Sequence, residues 1–330
     1  MKIFVVILNW NGKEFIFKCL DSVKKLEIGR ASPKAMPAAR NLKLEIVVVD
    51  NASTDGSVEQ IKSEKLKMKN DKAKLKIIEN NQNLGFAEGN NVGIRYALKN
   101  GADYVLILNP DTIVDENLIL QLISASGGSA FGGKVARADS RIGILGPKIY
   151  FAPGFEFHKE RYKPEERGKV IWYAGGRIDW NNVLSCHRGV DEIDRGQYDK
   201  VEETDFVSGC CMFVKKEVFE KIGLFDPKYF LYWEDSDFCQ RAWMGGFRIV
   251  YVPGANVFHL DAGSSAVGGP LHDYYITRNR MLFGIKYASF RTKFALVRES
   301  IKLFFFGRPW QKIGIRDFYL WRFGKGSWKT

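Results

Sequence analysis

Four short apolar runs recur along the first third of the chain, and each is bounded by polar or turn-forming residues. Runs rich in Val, Ile and Leu that lack polar alternation are typical of strands buried on both faces, as in parallel sheets covered by helices. We therefore predict four parallel strands here. They span Ile3–Leu8, Leu44–Val49, Leu75–Ile78 and Tyr104–Leu108.

The segments between these runs have the features of helices. One helix is predicted from about Lys13 to Leu26, and a second begins near Ser53-Thr54-Asp55, which are good N-cap residues. A third ends at about Lys99 and is closed by Gly101. This alternation of strand and helix predicts an α/β fold with a doubly wound, mostly parallel central sheet flanked by helices.

The second half has a different pattern. Residues 204–219 indicate a strand leading into a helix, and residues 247–253 indicate a further strand. Between them we predict a helix that begins at Asp235 and ends at Gly245-Gly246. Its buried face is predicted to contain Phe238, Ala242 and Trp243.

These elements predict one large domain over residues 1–265, with an N-terminal half (1–112) and a C-terminal half (113–265). A basic, aromatic helical extension follows over residues 266–330. Three segments interrupt the pattern. We interpret residues 29–41 as a loop insertion, residues 62–76 as a Lys-rich solvated helix face, and residues 124–134 as a Gly/Ser connector.

The composition favours a globular protein of a reducing compartment. Hydrophobic residues make up 45% of the chain, which is enough for a sizeable core. The five cysteines form no CxxC pair, which disfavours a disulfide framework or a zinc knuckle. No apolar stretch reaches the roughly 18 residues that a membrane span needs, and Ile3–Leu8 is too short for a signal peptide. We expect a cytoplasmic protein that does not cross a bilayer.

The net charge of +12 is concentrated near the C-terminus. Residues 271–330 contain 13 Lys and Arg against three acids, interleaved with many aromatic residues. Such a segment is typical of peripheral binding to anionic lipid headgroups, here at the inner face of the cytoplasmic membrane. Helices packed on the core with their charges in water explain it equally well. Nucleic acid is not an expected partner, because no recognised binding module accompanies the charge.

Two of the predicted strands end in acids. The second strand ends at Asp50, and the fourth is followed directly by Asn109-Pro110-Asp111. Ligands of parallel sheets bind outside the carboxyl ends of the strands. Two acids at that edge predict a ligand with hydrogen-bond donors and a metal, and a nucleoside diphosphate carrying a divalent cation supplies both.

Asp50 has two interpretations. Its carboxylate could accept a hydrogen bond from the imide N–H of uracil or thymine, or from a ribose hydroxyl. Taken alone, a role as N-cap of the following helix is the better supported of the two. Four nearby residues could cap that helix instead and leave Asp50 for a ligand. These are Asn51, Ser53, Thr54 and Asp55.

Asp111 and His259 are the candidate metal ligands. Mg²⁺ and Mn²⁺ prefer carboxylate oxygens and are usually bound through one or two carboxylates, with phosphate and water completing the shell. Neutral imidazole suits Mn²⁺ and is acceptable to Mg²⁺, although a lone His near a strand end is more often structural. The remaining histidines, 158, 187 and 272, have no such context.

Glu234-Asp235 is the third acidic site. An acid at the start of a helix is favoured in its ionised form by the helix dipole. Such a carboxylate can remove a proton from a hydroxyl that acts as a nucleophile, and we predict this role for Asp235. For Asp237 we predict simple capping of the helix.

Several stretches, taken in order, resemble the family 2 glycosyltransferases, which have the Rossmann-like GT-A fold. The stretches are VILNWNG, VVVDNASTDGS, NNQNLGFAEGNNVGI, LILNPDT, DFVSGCCMFVKKEVFEKIGLFD, FLYWEDSDFCQRAWMGGF and NVFHLDAGSS. LILNPDT stands in place of the family's DxD motif. The resemblance covers roughly residues 3–265 and is strongest to the rhamnosyltransferase-like branch.

The resemblance implies a role for each matched position. Asp50 would bind the pyrimidine, Asp111 the metal, His259 the metal or the diphosphate, and Asp235 would be the general base. Asn109 replaces the first acid of DxD, which implies weak affinity for free metal. The other positions assigned to the nucleotide-sugar pocket are Asn9, Asn11, Asn83, Gly85, Asn91, Asn109 and Glu234.

The implied enzyme is an inverting glycosyltransferase that depends on Mg²⁺ or Mn²⁺. Its donor would be dTDP-rhamnose or a UDP-sugar, and its acceptor a hydroxyl of a saccharide or lipid-linked saccharide in cell-surface polysaccharide synthesis. The acceptor would contact residues 150–201, where WYAGGRIDW indicates a hairpin. Arg278 and Arg280 could stabilise the departing diphosphate, with a structural role equally supported.

Two other classes are weighed against this one. A nucleotidyltransferase would have a Gly-rich phosphate loop after the first strand, where this chain has NWNGKEF, and an NAD-dependent oxidoreductase would have GxGxxG there. A sugar-nucleotide-binding protein without activity is the non-enzyme alternative. It would be expected to lack Asp111 or Asp235, and both are present.

Overall fold

The computed structural model describes residues 1–26, 42–67, 74–127, 139–260 and 268–329. The predicted insertion at residues 29–41 lies outside these ranges, as does the predicted domain boundary at 265. The Lys-rich run and the Gly/Ser connector are described only in part.

In the described part of the chain, the N-terminal half contributes four adjacent parallel strands to a ten-stranded sheet, in the order β4-β1-β2-β3. All four strands lie where the apolar runs predict them, because an uninterrupted run of Val, Ile and Leu is stable only when both faces are covered. The strands are β1 (Lys2–Asn9), β2 (Lys43–Asp50), β3 (Lys74–Glu79) and β4 (Tyr104–Leu108).

The second half extends this sheet beyond β4 in the order β11-β6-β12-β10, with β5 paired to β12 and β7 to β6. β11 runs antiparallel to β4 and β6, whereas β6 and β12 are parallel. β8 and β9 form a separate hairpin. The strands are β5 (Thr112–Val114), β6 (Ile142–Phe151), β7 (Ile171–Tyr173), β8 (Gly176–Asp179), β9 (Leu184–His187), β10 (Glu202–Glu203), β11 (Cys211–Lys215) and β12 (Arg248–His259).

The described helices flank the sheet and form the C-terminal region. The predicted α/β architecture with C-terminal helices is confirmed, and the predicted strand-to-helix passage over 204–219 corresponds to β11 and α5. The helices are α1 (Ile16–Lys24), α2 (Ser57–Lys67), α3 (Gly85–Lys99), α4 (Leu118–Ala125), α5 (Lys216–Ile222), α6 (Glu234–Met244), α7 (Pro270–Tyr287), α8 (Phe290–Phe306) and α9 (Pro309–Tyr319).

Helix α3 packs closely on the parallel strands, and this fixes the position of the loop that precedes it. Gly93 faces β1 so closely that an added Cβ would overlap Val6 Cγ1. Gly89 makes a similar approach to Leu8. The absence of side chains at these two positions lets the helix backbone lie directly on the strand that ends at Asn9.

Helix α6 differs from the prediction in the position of one aromatic residue. Phe238 and Ala242 are buried as predicted, but Trp243 is 63% exposed. Phe238 and Ala242 are four residues apart and share a face, whereas residue 243 is turned about 100° from residue 242. The helix ends at Gly245 as predicted, and Gly246 has the positive φ that follows many helices.

The C-terminal helices are part of the main structure. Met281 and Phe283 of α7, Leu296 of α8 and Ile315 of α9 belong to the same buried cluster as the sheet. No helix in the described part of the chain is both long and apolar enough to span a membrane.

Candidate active site

The ends of β1 and β2 form a buried polar cluster. Asn9 pairs with Asp50 in the strand register, and both side chains are buried. Asn9 Nδ2 donates to Asp50 Oδ1 at 2.9 Å, and the backbone N–H of Ser53 donates to Asp50 Oδ2 at 2.9 Å. Asn9 Oδ1 is buried without a hydrogen-bond partner. Since buried polar atoms are rarely left unpaired, this atom suggests a ligand or water at the strand ends.

The N-cap interpretation of Asp50 is wrong. The first turn of α2 is capped by Asp55, whose Oδ1 accepts from the Ser57 N–H at 3.0 Å and from its hydroxyl at 2.6 Å. Asp50 instead organises the turn at Ser53, upstream of the helix. Asp50 therefore does not cap the helix, in agreement with the alternative that leaves it for a ligand at the strand ends.

Asn11 lies at the exposed mouth of this cluster. Its backbone has φ 51, and its Oδ1 accepts from the Thr54 N–H at 2.8 Å. Its own N–H donates to Ser53 Oγ at 2.9 Å. The loops that follow β1 and β2 are thus joined side by side, with Trp10 46% exposed between them.

Asn51 fixes the loop before α3 and is a residue that the sequence analysis missed as part of the site. Its Nδ2 donates to Asn83 Oδ1 at 2.8 Å, and its Oδ1 accepts from the Leu84 N–H at 3.1 Å. Asn83 Oδ1 also accepts from the Gly85 N–H. Asn83 is therefore tied to the strand end by way of Asn51, whose position directly after Asp50 was the available signal.

Gly85 and Asn91, which we assigned to the nucleotide-sugar pocket, both contact the segment before α6. Gly85 has φ +78, and the group that approaches it closely is Phe230, whose carbonyl accepts from the Phe86 N–H at 2.6 Å. Asn91 is buried and bonds both polar groups of its side chain to the Phe225 backbone, at 2.9 and 3.1 Å. Both residues thus connect α3 to the segment before α6, and their place in the nucleotide-sugar pocket stays a prediction.

The second part of the site is the pair Asp111 and His259. His259 is the last residue of β12 and pairs with Thr112, and the Leu260 N–H donates to the Asp111 carbonyl. This ladder brings His259 Nε2 to 3.4 Å from Asp111 Oδ2. Asp111 Oδ1 and His259 Nδ1 are both buried without a hydrogen-bond partner. The two side chains that were predicted from distant parts of the chain are therefore neighbours.

The environment of His259 favours its protonated form. Burial opposes the charge, but the Asp111 carboxylate and the Cys210 thiol beside the ring outweigh it and raise the pKa of His259 well above its usual range. Trp172 stacks on the imidazole, with ring centroids 4.7 Å apart. Trp172 and Cys210 were not predicted as part of the site. The signal for Trp172 was the WYAGGRIDW stretch.

Asn109 lies at the junction between the strand ends. Its backbone N–H donates to the Cys210 carbonyl at 2.9 Å, and its own carbonyl accepts from the Thr112 hydroxyl at 2.7 Å. These contacts fix the turn that carries Asp111. They also place the segment before β11 against that turn.

Asp235 is held in the first turn of α6 by backbone donors. Its Oδ2 accepts from the Gly209 N–H at 3.0 Å, and its Oδ1 accepts from the Ser236 N–H at 2.6 Å. Burial raises the pKa of Asp235 above its ordinary value, although these hydrogen bonds oppose the shift. Burial, assisted by the adjacent Asp235 charge, raises the pKa of Glu234 well above its usual range, and its Oε2 has no partner. The pKa of Glu234 is thus raised further than that of Asp235, although the two acids are adjacent.

The backbone before Asp235 is unusual. Phe230, Tyr232 and Trp233 all have positive φ, at 64°, 68° and 74°. Such conformations cost about 1–3 kcal/mol each for residues other than glycine and persist only where the surroundings enforce them. Trp233 is the N-cap of α6, so the position of Asp235 depends directly on this segment.

Asn279 of α7 holds that segment in place. Its Nδ2 donates to the carbonyls of Tyr229, Leu231 and Tyr232 at 2.8 to 2.9 Å. Arg278 Nε donates to Asn279 Oδ1 at 3.0 Å, which fixes the orientation of the amide. We call Arg278 and Asn279 the α7 clamp.

The predicted role of Arg278 and Arg280 beside the diphosphate is not supported. Arg278 is fully buried, and its guanidinium donates to the backbone carbonyls of Lys228, Tyr229, Arg322 and Gly324. Arg280 pairs with Glu299 at 2.8 Å and donates to the Asn182 carbonyl. Both guanidinium groups are committed to the fold, which is the structural alternative stated above.

Asp237 does not cap α6 by side-chain contacts, so that prediction is also wrong. It is buried and forms ion pairs with Arg241 and Lys286, each at 2.7 Å, with a further hydrogen bond from the Tyr287 hydroxyl. Burial raises its pKa, but the two cations outweigh this, so that the pKa of Asp237 lies below its ordinary value. Asp237 therefore joins α6 to α7.

One short segment connects the acidic positions. Gly209 donates to Asp235, and the next residue, Cys210, lies beside His259 and accepts from Asn109. On the other side of Asn109, β4 pairs with β1, whose last residue is Asn9. The structure thus brings Asp235, the Asp111–His259 pair and the Asn9–Asp50 cluster to the same edge of the sheet.

The donor set at Asp111 fits a divalent cation. A buried carboxylate oxygen without a partner lies beside an imidazole, and oxygen with nitrogen is a set that Mn²⁺ accepts. A bound cation would replace the proton on the ring, because only neutral imidazole is a metal ligand. Among the described residues, no cluster of three or more His, Cys, Asp or Glu side chains could hold a metal ion by itself. Asp111 and His259 would therefore hold a cation together with ligands from a substrate.

Comparisons with curated proteins agree with these features. A low-salt glycan biosynthesis hexosyltransferase of Haloferax volcanii, Agl10, is 27% identical over 199 residues, which cover 60% of this chain and 53% of the relative. An N-acetylglucosaminyl-diphospho-decaprenol L-rhamnosyltransferase of Mycobacterium tuberculosis is 26% identical over 67% of this chain and 68% of its own length. The dTDP-rhamnosyl transferase RfbF of Shigella flexneri is 23% identical over 72% and 69%. The matched part of this chain thus spans about half of the archaeal relative.

Solved structures share the fold. GalNAc-T7 with UDP, GalNAc and Mn²⁺ superimposes with a TM-score of 0.56 at 17% identity, over 92% of this chain and 57% of that one. The mannosyltransferase PcManGT from Pyrobaculum calidifontis, in complex with GDP-Man and Mn²⁺, gives 0.53 at 15% identity, over 99% and 76%. These likenesses confirm the GT-A fold.

Family models give the assignment. The model described as glycosyl transferase family 2 matches residues 4–223, about two thirds of the chain, and the model glycosyl transferase family group 2 matches residues 181–323. The chain therefore belongs to glycosyltransferase family 2 and has the GT-A fold.

Proposed function

We propose that the protein transfers a sugar from a nucleoside diphosphate sugar to a hydroxyl of a saccharide or lipid-linked saccharide, with inversion at the anomeric carbon. The observation that carries this proposal is the Gly209-Cys210 connection. A carboxylate with a raised pKa, Asp235, is bonded to one end, and the Asp111–His259 pair lies at the other. The two adjacent residues Gly209 and Cys210 thus link the carboxylate that we propose as proton acceptor to the pair that we propose as cation site.

The donor would bind along the carboxyl ends of β1, β2 and β4. Asp50 and Asn9 are the groups that we assign to the nucleoside, with Asn11 at the exposed mouth and Asn83 on the adjacent loop. We favour dTDP-rhamnose as donor, because the Mycobacterium and Shigella relatives are rhamnosyltransferases, the latter dTDP-dependent. A UDP-sugar is the alternative, since GalNAc-T7 binds UDP.

Asp111 and His259 are the residues that would hold Mg²⁺ or Mn²⁺. When bound, the cation would neutralise negative charge on the departing nucleoside diphosphate. The neutral Asn109 beside Asp111 adds no charge to the site, so we expect the cation to be retained mainly together with the diphosphate.

Asp235 would act as the general base. Its carboxylate accepts the proton of the acceptor hydroxyl, whose oxygen attacks the anomeric carbon from the face opposite the diphosphate. A single in-line displacement inverts the configuration. Burial and the adjacent Asp235 raise the pKa of Glu234 well above its usual range, so that its protonated carboxyl would donate a hydrogen bond to the donor sugar.

The acceptor would approach from the side of the β8–β9 hairpin. The Mycobacterium relative is named for a diphospho-decaprenol-linked acceptor, and the Haloferax relative for glycan biosynthesis. On this basis we assign the protein to cell-surface polysaccharide synthesis, acting on a lipid-linked saccharide.

A donor screen with the full chain tests the proposal. dTDP-rhamnose, UDP-GlcNAc and GDP-mannose would each be offered with Mn²⁺ and a diphospholipid-linked GlcNAc acceptor. We expect one donor to give released nucleoside diphosphate and a product one sugar heavier, with the anomeric configuration inverted by NMR. Asp235→Asn should lower transfer at least about 10³-fold and leave donor binding by calorimetry unchanged.

Two outcomes would contradict the proposal. Donor binding without transfer by the native chain would indicate a sugar-nucleotide-binding protein. Activity of Asp235→Asn close to that of the native chain would exclude Asp235 as the base.

A further inference from the structure

Helix α8 exposes an apolar stripe along its whole length. Phe290 is 87% exposed, Phe294 69%, Ile301 54% and Phe305 62%. Successive positions 290, 294, 297 and 301, and then either 304 or 305, are three or four residues apart, so these side chains share one face of the helix. The complete stripe comprises Phe290, Phe294, Val297, Ile301, Phe304 and Phe305.

The opposite face of α8 already packs on the protein. Thr292, Leu296 and Ser300 are buried, and Leu296 belongs to the main core. Ser289 caps the helix by accepting from the Thr292 N–H. The stripe is therefore the outward face of a docked, capped helix, so burying it needs a partner from outside the described chain.

The stripe is bordered by cations. Arg291, Arg298 and Lys302 lie along one edge, and Lys293 lies along the other. The one acid of the helix, Glu299, is paired with Arg280 of α7 at 2.8 Å. The exposed surface of α8 thus combines large aromatic groups with uncompensated positive charge.

A groove beside the stripe continues the apolar surface onto α9. It has a volume of about 330 Å³, and its exposed lining is entirely apolar. Ile301, Phe304 and Phe305 contribute from α8, and Tyr319 and Leu320 contribute at the end of α9. Trp321, which follows, is 78% exposed. An apolar surface of this kind with a charged border marks a binding site.

We propose that the α8 stripe binds the surface of an anionic lipid bilayer, with the helix lying in the plane of the interface. Helices that do so combine an apolar face rich in Phe and Leu with Lys and Arg at its borders, since the side chains enter the headgroup region and the cations contact anionic lipids. The charges favour this occupant over a second copy of the chain. Two such surfaces would bring like charges together.

The stripe is close to the hairpin that we assign to the acceptor. Arg280, which anchors α8 through Glu299, also donates to the carbonyls of Asn182 and Val183 in the turn of the β8–β9 hairpin. A bilayer on α8 would thus lie beside the hairpin to which we assign the acceptor. This part of the inference rests on the proposed function, whereas bilayer binding itself does not.

Vesicle flotation of the full chain, without donor or acceptor, tests the binding. We expect co-flotation with vesicles containing 30% phosphatidylglycerol, and little with phosphatidylcholine alone. Phe294→Ser with Phe305→Ser should lower partitioning at least about tenfold. Arg298→Gln with Lys302→Gln should lower it about 25-fold, since each cation near the surface contributes about fivefold.

Matched variants control for general effects on surface hydrophobicity and charge. Trp243→Ser with Met244→Ser removes two side chains on α6 of similar exposure, 63% and 65%. Lys18→Gln with Lys99→Gln removes two exposed charges on α1 and α3. All variants should keep the native melting temperature, and both controls should bind vesicles like the native chain.

Three results would overturn the proposal. The native chain could remain unbound with anionic vesicles, or the stripe variants could bind as well as the controls do. Alternatively, sedimentation velocity could show a dimer that only the stripe variants abolish, without vesicle binding. Because flotation requires no sugar transfer, failure of this proposal is distinguishable from failure of the proposed activity.

Discussion

At the scale of single residues, the most informative group is the Asp235 carboxylate. It is buried enough to raise its pKa, yet two backbone N–H groups favour its ionised form. A general base must be ionised to accept a proton, so activity falls as the pH drops through its pKa. We expect the acid limb of kcat/KM to lie above the value of roughly 4 that is ordinary for aspartate.

A pH profile from 4 to 9 measures this limb. The Asp235→Glu variant should keep an acid limb at lower overall rate, because a carboxylate remains at the site. A profile of the native enzyme that stays flat down to pH 4 would contradict the assignment.

The Asp111–His259 pair gives a second prediction at this scale. Asp111→Asn and His259→Gln each remove one candidate ligand. We expect each to weaken Mn²⁺ binding in the presence of nucleoside diphosphate by about 10–100-fold, measured by EPR of the free ion. Asp115→Asn is a suitable control, because Asp115 is an acid that directly follows β5. Unchanged Mn²⁺ binding in both variants would show that the pair is only an ion pair.

How far single residues can be predicted depends on what their position determines. Asp50 and Asp111 were predicted as site residues because one ends a buried strand and the other follows one, and ligands of such sheets bind at the strand ends. The structural role of Arg278 could not be predicted, because its guanidinium donates to four backbone carbonyls that are distant in sequence. Asn91 and Gly85 likewise have partners more than 130 residues away, at Phe225 and Phe230.

At the scale of elements, the α7 clamp controls how α6 begins. Asn279→Ala removes the donor to three carbonyls, and we expect it to destabilise the fold by about 1–3 kcal/mol. It should also lower kcat about tenfold or more, because a small displacement of Asp235 is costly for catalysis. KM and the calorimetric Kd for the donor should change little, since we assign the donor to other loops.

The comparison variants separate positioning from simple loss of stability. Asn279→Asp keeps the shape of the side chain but cannot donate to the carbonyls, so it should resemble Asn279→Ala. Asn100→Ala removes an exposed amide that bonds the Tyr96 carbonyl at the end of α3, and it should affect neither rate nor stability. If Asn279→Ala lowers the melting temperature with native kcat, the clamp does not position the base.

The elements of the N-terminal half are predictable because each is determined locally. A run such as Val47–Val49 is buried wherever it pairs, so β2 lies where the pattern places it. The error at Trp243 arose because aromatic character alone does not define a helix face. The reversal of strand direction at β11 has no local signal, since it depends on how the preceding connection crosses the sheet.

At the scale of the whole molecule, the C-terminal helices contribute in two ways. Their inner faces join the main core through Met281, Phe283 and Leu296, and the outer face of α8 carries the apolar stripe. Composition alone could not decide between packing on the core and binding lipid. In the structure, the inner face of α8 packs on the core, and its outer face is a surface suited to binding lipid.

The α7 clamp has a consequence for synthesis of the chain. Ribosomes make proteins from the N-terminus, so β1 and β2, which carry Asn9 and Asp50, emerge long before Arg278 and Asn279. Until α7 has emerged and docked, nothing supplies the donors that bond the carbonyls of Tyr229, Leu231 and Tyr232. A nascent chain that has not yet reached α7 would therefore lack the contacts that hold the segment before Asp235 in place.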